Sequence, residues 1–449
     1  MDHALLLKYD RPVPRYTSYP TAPHFHSGIG PGDFAAWMAD SDPAEPISLY
    51  LHVPFCRQMC WYCGCHTKVV ARDEPIRGFA TRLRREMALV AEAFGGRRRL
   101  AAVHWGGGSP NVLAPEDFRK LSDELERFFR PDHATEIAME LDPRLVDAAM
   151  LEALADCGVS RVSLGIQDFD PEVQAAINRI QPFGLVVEAV EGLRRIGVHG
   201  INFDLIYGLP HQTRAGFLDS VERALSLAPD RLAVFGYAHV PWMKKHQRQI
   251  DEATLPSATE RLELAEAAAS AIEAAGYRRI GLDHFAKPDD PLSKAHDAGT
   301  LHRNFQGYTT DTAKTLIGLG PSAISALVQG YAQNAADIAL WGRAIDAGRF
   351  ATQRGTLLTG EDEWRAQAIG QLMCTGFLDL TALARAFGLP NAQFAAERAR
   401  LAPLIADGLV ELAGNHVMVT DSGRPLVRVI ASCFDAYLND GPGRHSQAV

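Results

Sequence analysis

Four of the seven cysteines, Cys56, Cys60, Cys63 and Cys65, lie within ten positions of one another. The first three are spaced C-x3-C-x2-C directly after a short apolar run that reads as a buried strand, so on a loop their thiolates can converge on one small object. Thiolate sets of this kind select zinc or iron–sulfur. Three thiolates are one short of a closed site. A [4Fe-4S] cube held by three cysteines has one iron with no protein ligand, and that open corner is where a substrate or cofactor would bind. Structural zinc normally wants two separated ligand pairs and a closed set of four. Disulfide staples are not expected in a chain of 449 residues with no mark of secretion.

The spacing, with an aromatic residue (Tyr62) just before the third cysteine, resembles the radical S-adenosylmethionine (SAM) superfamily. The resemblance implies a cluster whose open iron is chelated by the amino and carboxylate groups of SAM. It also implies cleavage of the sulfonium to a 5'-deoxyadenosyl radical able to abstract an unactivated hydrogen.

Such a loop has to be held by something rigid. From residue 47 short apolar, β-branched runs alternate with amphipathic stretches of helical length. Strands are expected at 48–53, 101–105, 136–141, 161–166, 200–206 and 231–237, with helices at 76–94, 115–129, 144–155, 185–196 and 214–227. Six βα repeats imply an α/β fold with a parallel sheet and right-handed crossovers, and the superfamily resemblance narrows this to a partial (β/α)6 barrel. Ligands in such sheets sit at the C-terminal strand ends. Polar or glycine-rich stretches fall there after each strand: the cysteine loop, Gly106-Gly-Gly-Ser-Pro110, Glu140 with Asp142, Gln167 with Asp168, Asp204, and the stretch after Tyr237. Taken singly, Asp142 reads equally as a helix cap and Asp168 as a turn residue. Glu140 is a candidate acceptor for ribose hydroxyls, and Gln167, Arg179 and Asp204 are candidates for a second polar ligand deeper in the cup.

The length calls for more than one core. Three regions are expected: an extended arm over 1–45 that wraps the barrel, a catalytic domain with its extension over 46–355, and a mostly helical, winged-helix-like cover domain over 356–449. In the last, helices are expected at 361–373, 380–387, 392–406 and 422–438, with a β ribbon over 410–419, and the final ten residues read as disordered. Residues 258–275 read as a helix and 278–286 as a single strand-like run. The 301–310 stretch, Leu-His-Arg-Asn-Phe-Gln-Gly-Tyr-Thr-Thr, is polar, aromatic and cationic at once, which suits a pocket for a large aromatic anion. The 45 Lys and Arg against 54 Asp and Glu give a net charge of −9, which argues against nucleic acid as a partner. Nor is a membrane partner expected, since no apolar run approaches the length of a membrane span and no signal peptide opens the chain. A cytoplasmic monomer is expected, with Cys157, Cys374 and Cys433 as buried small hydrophobes.

With these motifs assembled, the chain resembles the oxygen-independent coproporphyrinogen III oxidase family nearly end to end. The resemblance is carried by Arg15 to Ala22, the cysteine loop with its extra Cys65, His104 to Pro110, Asn202 to Pro210, Asp283 to Phe285 and His302 to Thr310. The related haem chaperones usually lack the extra cysteine, the Tyr-Thr-Ser-Tyr-Pro-Thr arm and the His-Arg-Asn-Phe-Gln-Gly-Tyr loop. The resemblance implies that Cys56, Cys60 and Cys63 bind the cluster and that Tyr50, Gly107, Glu140 and Ile324 contact its SAM. It further implies a second SAM site at Tyr62, Gly108, Ser109, Gln167, Arg179, Asp204 and Ala238. Tyr62 stands for Phe and Ser109 for Thr, exchanges that keep shape or hydroxyl.

The implied substrate is coproporphyrinogen III, two of whose propionates would become vinyl groups. No side chain has a pKa that would let it take such an unactivated hydrogen as a proton, so the cofactor must supply the reactivity. Arg303, His302 and Arg15 are expected to grip propionates, and Cys65 to handle electrons or protons. A flavodoxin or ferredoxin is the expected donor. Two other classes remain: a haem-binding chaperone that forms no vinyl product, and an iron–sulfur transcription factor that would bind DNA in a salt-dependent way.

Overall fold

The computed structural model describes residues 5 and 8–438; the expected disorder of the last ten residues lies outside them. The chain divides into two compact units, one formed by 26–256 and 311–357, the other by 1–25, 257–310 and 358–449. These units cut across the expected regions. The arm is shared between them, the 257–310 extension groups with the C-terminal segment, and 311–357 returns to the barrel.

The first unit contains strands β1 (Ile47–Val53), β2 (Leu100–Gly107), β3 (Glu136–Leu141), β4 (Arg161–Gln167), β5 (Gly200–Tyr207) and β6 (Arg231–Gly236). They pair in parallel in this order. Helices α1 (Glu74–Ala93), α2 (Pro115–Phe128), α3 (Ala148–Asp156), α4 (Phe183–Arg195) and α5 (Arg214–Ser226) supply the crossovers. The predicted helix at 144–155 starts later, because Asp142 and Asp147 each cap a separate start: a 3-10 turn at Pro143–Leu145 and then α3. Four further strands extend the other edge: β7 (Thr315–Leu319), β8 (Ile324–Leu327), β9 (Gly330–Asn334) and β10 (Thr352–Leu357). β7 lies parallel to β1, and β8 to β10 follow antiparallel. In the arm, residues 31–39 form a helix rather than extended chain, started by Pro31 and an Asp33 carboxylate that accepts from the Gly30 N–H.

Parallel register decides which residues share a face. Tyr50 pairs with His104, His104 with Ala138, Glu140 with Ser163, and Ser163 with Asn202. Alternation then puts Tyr50, His104, Glu140, Ser163, Asn202 and Asp204 on one face. These residues are half-buried, whereas Val103, Leu141, Val162, Leu164, Ile201 and Phe203 between them are buried under the helices. The polar face is the barrel lumen.

Behind β7, the Glu86 carboxylate accepts from the Gly320 N–H at 2.7 Å, Asn334 Nδ2 at 2.7 Å and Trp341 Nε1 at 3.1 Å. Burial outweighs these donors and pushes the carboxyl up to about 7. Between its unfolded value of about 4.3 and about 7 the folded chain therefore holds a proton that the unfolded chain has lost. The stability contributed is full below that unfolded value and falls as pH rises through about 7. Glu86→Gln is expected to remove this slope, gaining on the order of 3 kcal/mol relative to wild type across the window. Denaturant midpoints measured from about pH 5 to about pH 8 check it; parallel profiles for the two proteins would refute it.

In the second unit, Ala258–Ala274 is a helix opened by a Ser257–Glu260 capping box. Gly360–Thr375, Leu380–Phe387 and Ala395–Ala406 are helices, and Phe377–Asp379, His416–Val419 and Val410–Ala413 form a three-stranded antiparallel sheet in that order. The expected strand at 278–286 is instead two short antiparallel strands, Arg278–Ile280 and His284–Ala286, turning at Gly281 with φ +57°. The expected helix at 422–438 is a five-residue helix, Val427–Ala431, between 3-10 turns. Val13, Tyr16 and Tyr19 of the arm lie in this unit's core beside Trp364, Leu372 and Phe434. Tyr16 Oη donates to Asp435 at 2.9 Å, and Tyr19 Oη accepts from the Ala436 N–H at 2.8 Å. This part of the arm is core rather than a wrap.

Candidate active site

The cysteine loop leaves β1 at the C-terminal rim. Its first cysteine is held by Thr67, whose Oγ1 lies 3.1 Å from Cys56 Sγ, with Ser109 Oγ at 3.6 Å. Cys60 Sγ is approached by two guanidiniums, Arg179 Nη1 at 3.5 Å and Arg144 Nη2 at 4.0 Å, and the Asp142 carboxylate pairs with both arginines. Burial alone would raise the Asp142 carboxyl, but those two cations hold it below its usual range. Hydrogen bonding from Cys65 lowers Cys63 to about 6 and raises Cys65 itself. The Cys65 N–H donates to Cys63 Sγ at 3.4 Å, and the Cys65 side chain is exposed.

The glycine run packs against this loop. Gly107 has φ +112°, and a Cβ there would meet the His52 ring at 2.7 Å. At Gly108 it would meet Phe55 O at 2.4 Å. The loop is stitched down by N–H groups of Gly108 to Val53 O and Ser109 to Phe55 O, both 2.8 Å. Glu140 completes the rim: Oε2 accepts from the Gly107 N–H at 3.1 Å, and Oε1 lies 3.2 Å from His104 Nε2. Burial would raise this carboxyl too, but those partners outweigh it and keep Glu140 ionised below its usual range. Tyr50 stacks on His104 with centroids 5.8 Å apart and lies 3.0 Å through its hydroxyl from His52 Nδ1. Ile324 opens β8 with its backbone against Gly318, the residue in register with Tyr50.

Deeper in the lumen, Arg179 Nη2 donates to Gly165 O at 2.7 Å, and Gly165 is in register with Asp204. Gln167 has φ +69° at the bulge that follows. Asp204 accepts from Ser163 Oγ and Asn202 Nδ2, both at 2.8 Å. Tyr62 O and Ala238 O are bridged by one side chain, Gln247 Nε2, at 2.9 and 3.3 Å. Tyr50 and Gly107 thus meet Glu140 through His104 and a direct bond, Ile324 lies against Gly318, Gly108 and Ser109 are bonded to the cysteine loop, Arg179 reaches Gly165 beside Asp204 and Gln167, and Tyr62 and Ala238 share Gln247.

Asp168 does not belong with them. It is wholly buried, accepting from Ser220 Oγ and Gln212 Nε2, both at 2.6 Å, so it ties α5 to the loop after β5. Residues not foreseen are Thr67, His52, Arg144 and Gln247. Only Arg144, two positions after the rim acid Asp142, carried a readable signal.

These residues fit a cluster and a polar adenosyl ligand. Among the described residues no three His, Cys, Asp or Glu side chains close on a single metal ion. A cube takes each thiolate on a different iron, so its three cysteines need not meet on one ion. Gln167 Oε1, Arg179 Nε and Asn202 Oδ1 are buried around the cup without a hydrogen-bond partner, a cost that a polar ligand would remove.

The second unit has its own charged cluster. Residues His302–Asn304 and Gly307–Thr309 form a hairpin with Arg303 opposite Tyr308, the guanidinium 4.5 Å from the ring centroid. Tyr308 Oη accepts from the Leu282 N–H at 3.0 Å and donates to Met373 O at 2.8 Å. Arg303 Nη2 donates to Arg15 O at 3.4 Å, while its Nε and Nη1 are buried without a partner. Asp283 bonds His284 Nδ1 at 2.7 Å; burial would raise its carboxyl, but His284, Arg303 and Arg15 hold it at about 2. Burial and the charges of Arg15 and Arg303 lower Arg428 to about 10. Three arginines therefore face one carboxylate. His302 is exposed.

A family model described as Radical SAM superfamily matches residues 50–224, and one described as HemN C-terminal domain matches residues 358–426. The chain is 50% identical over 437 residues to the oxygen-independent coproporphyrinogen III oxidase of Bradyrhizobium diazoefficiens, covering 97% of each chain. It is 42% identical to that of Pseudomonas aeruginosa, covering 97% of this chain and 96% of the relative. Among solved structures it is similar to coproporphyrinogen III oxidase (HemN) from Escherichia coli, described as a radical SAM enzyme. The TM-score is 0.92 and the identity 39%, covering 97% of this chain and 99% of that one.

Proposed function

The chain belongs to the oxygen-independent coproporphyrinogen III oxidase family of radical SAM enzymes, and from that membership we propose how its residues divide the work. It is an oxidoreductase of haem biosynthesis that uses a [4Fe-4S] cluster and SAM to convert two propionates of coproporphyrinogen III to vinyl groups, giving protoporphyrinogen IX. When bound, the cluster and SAM supply a 5'-deoxyadenosyl radical that removes a propionate β hydrogen.

Cys56, Cys60 and Cys63 hold the cluster, with Arg179 and Arg144 donating toward Cys60 Sγ. Tyr50, Gly107, Glu140 and Ile324 seat the SAM on it, Glu140 accepting from ribose hydroxyls. Tyr62, Gly108, Ser109, Gln167, Arg179, Asp204 and Ala238 take a second SAM, a role supported by the three orphaned polar atoms in the cup. Cys65, one hydrogen bond from Cys63 Sγ, handles an electron or a proton rather than binding iron.

Arg303 and Arg15, with the exposed His302, take propionates. The supporting observation is the surplus of positive charge around Arg303, whose two unpaired N–H groups lack an acceptor. The protein works as a cytoplasmic monomer fed by a flavodoxin or ferredoxin. Among the described residues no helix is long and apolar enough to cross a membrane.

The carrying observation is the open triad of cysteines at the rim of a polar lumen in a chain half identical to a named oxidase. The test is anaerobic: reconstituted enzyme, SAM, dithionite and coproporphyrinogen III, with the porphyrin followed by mass spectrometry. Two successive losses of carbon dioxide and hydrogen are expected. SAM cleavage with an untouched porphyrin and tight haem binding would favour a chaperone. In the same assay Arg303→Ala is expected to lower kcat/KM for coproporphyrinogen by about 10- to 100-fold, the worth of one charge-assisted carboxylate contact. Unchanged turnover and affinity would remove Arg303 from the substrate site.

A further inference from the structure

The turn after β6 is joined to the cysteine loop by three side chains. Lys244 Nζ donates to Cys65 O at 2.9 Å, His246 Nε2 lies 2.7 Å from Cys63 O, and Gln247 Nε2 donates to Tyr62 O at 2.9 Å. The turn is itself locked. The Val240 N–H donates to Gln247 Oε1 at 2.6 Å, the Met243 and Lys244 N–H groups both donate to Val240 O at 2.9 Å, and Gln247 is buried.

On its other side the same turn holds Trp242 and Met243 out, 55% and 64% exposed, next to exposed Lys245 and Arg248. Neither cation has a carboxylate partner among the described residues. The acids that follow are engaged: Asp251 caps the turn at Glu252–Thr254, and Glu252 lies 3.1 Å from His239. Two large apolar side chains on a rigid turn, rimmed by cations, have the make-up of a protein docking centre. The chain as a whole carries −9, so an acidic protein is repelled by most of its surface and admitted at a local cationic rim.

We propose that this turn, residues 241–248, is the docking surface for an acidic one-electron carrier protein, with Trp242 and Met243 packing at the centre and Lys245 and Arg248 steering the approach. The proposal rests on the radical SAM reading and goes beyond it by assigning the place of electron entry. Breaking the carbon–sulfur bond of SAM consumes one electron; the carrier is oxidised by one electron and the cluster reduced by one. The donors from Lys244 and His246 put the turn one hydrogen bond from the backbone of Cys65 and of the cluster ligand Cys63.

The test uses cluster-loaded full-length enzyme, anaerobically, with reduced flavodoxin as the probe carrier and dithionite as a small reductant. The readouts are the rate of cluster reduction, followed by loss of visible absorbance, and vinyl product. Trp242→Ala and Lys245→Glu are each expected to slow reduction by flavodoxin at least about tenfold, and added salt to slow wild type, with dithionite-driven reduction and turnover unchanged. Wild-type reduction rates from flavodoxin in both variants would overturn the assignment. So would equal losses with dithionite, which would place the turn at the tetrapyrrole. If wild type yields no product even with dithionite, the decarboxylase reading fails, while the reduction rates still decide the docking surface.

Discussion

Cys60→Ser is expected to leave a folded protein with no bound cluster and turnover below about a thousandth of wild type, since residues that act as a unit fail together. Cys60 is 7% exposed and lies between two guanidiniums, with Arg179 Nη1 at 3.5 Å and Arg144 Nη2 at 4.0 Å. A serine hydroxyl in the same place does not ionise at neutral pH, so one of three ligands is lost and the cube has no spare cysteine to replace it. Cys65 is not expected to substitute, because it is exposed and only two residues beyond the ligand Cys63, whose Sγ its N–H already approaches at 3.4 Å. Iron and sulfide content with visible absorbance after anaerobic reconstitution measure the cluster, and circular dichroism measures the fold. Wild-type iron content together with normal turnover would show that Cys60 is not a ligand.

Glu140→Ala is expected to weaken SAM binding to the cluster-loaded enzyme by about 100-fold. Both carboxylate oxygens are in use, one on the Gly107 N–H and one at His104. A Cβ at Gly106 would come within 2.7 Å of Glu140 Oε1, so the carboxylate is packed against the glycine run itself. Truncation removes a charged acceptor for ribose hydroxyls, worth about 1.5–3 kcal/mol. The upper end, about 3 kcal/mol, corresponds to about two decades of affinity. Isothermal titration with SAM under anaerobic conditions reads this directly. Glu140→Gln, which keeps one acceptor oxygen, is expected to recover part of the loss. Unaltered SAM affinity in Glu140→Ala would mean that the carboxylate serves only to brace the glycine loop.

The parallel strands were legible because each is a short run rich in apolar and β-branched residues whose helix-facing side chains are buried, and the helices between them must be amphipathic. All six barrel strands fall where that pattern puts them. β7 was not read, although its five residues are all buried, because Gly318 interrupts it and a glycine-flanked run also reads as a ligand loop. The 278–286 run was mistaken for one strand because Ile280, Leu282 and Phe285 space it like a continuous strand. What breaks it is Gly281, where the Tyr308 side chain occupies the space of a Cβ, a contact with a residue 27 positions away.

The cysteine triad, the glycine run and the rim carboxylates were readable from residue type and spacing alone, since thiolate number and chain proximity restrict what such a loop can bind. The family followed from motifs that lie contiguous in the chain. What only the tertiary structure decided is what each polar residue faces. Asp168 and Asp204 are each one residue from the end of a strand, or within it, and look alike in sequence. The bulge at Gln167 turns the first into a buried tie to Ser220 and Gln212, while β5 alternation leaves the second in the lumen. The guanidiniums on Cys60, the three side chains on the carbonyls of Tyr62, Cys63 and Cys65, and the arm's place in a hydrophobic core are likewise contacts between segments far apart in the chain. Local propensity holds no information about such pairs, because their energy appears only when the sheet register brings the partners within hydrogen-bonding reach.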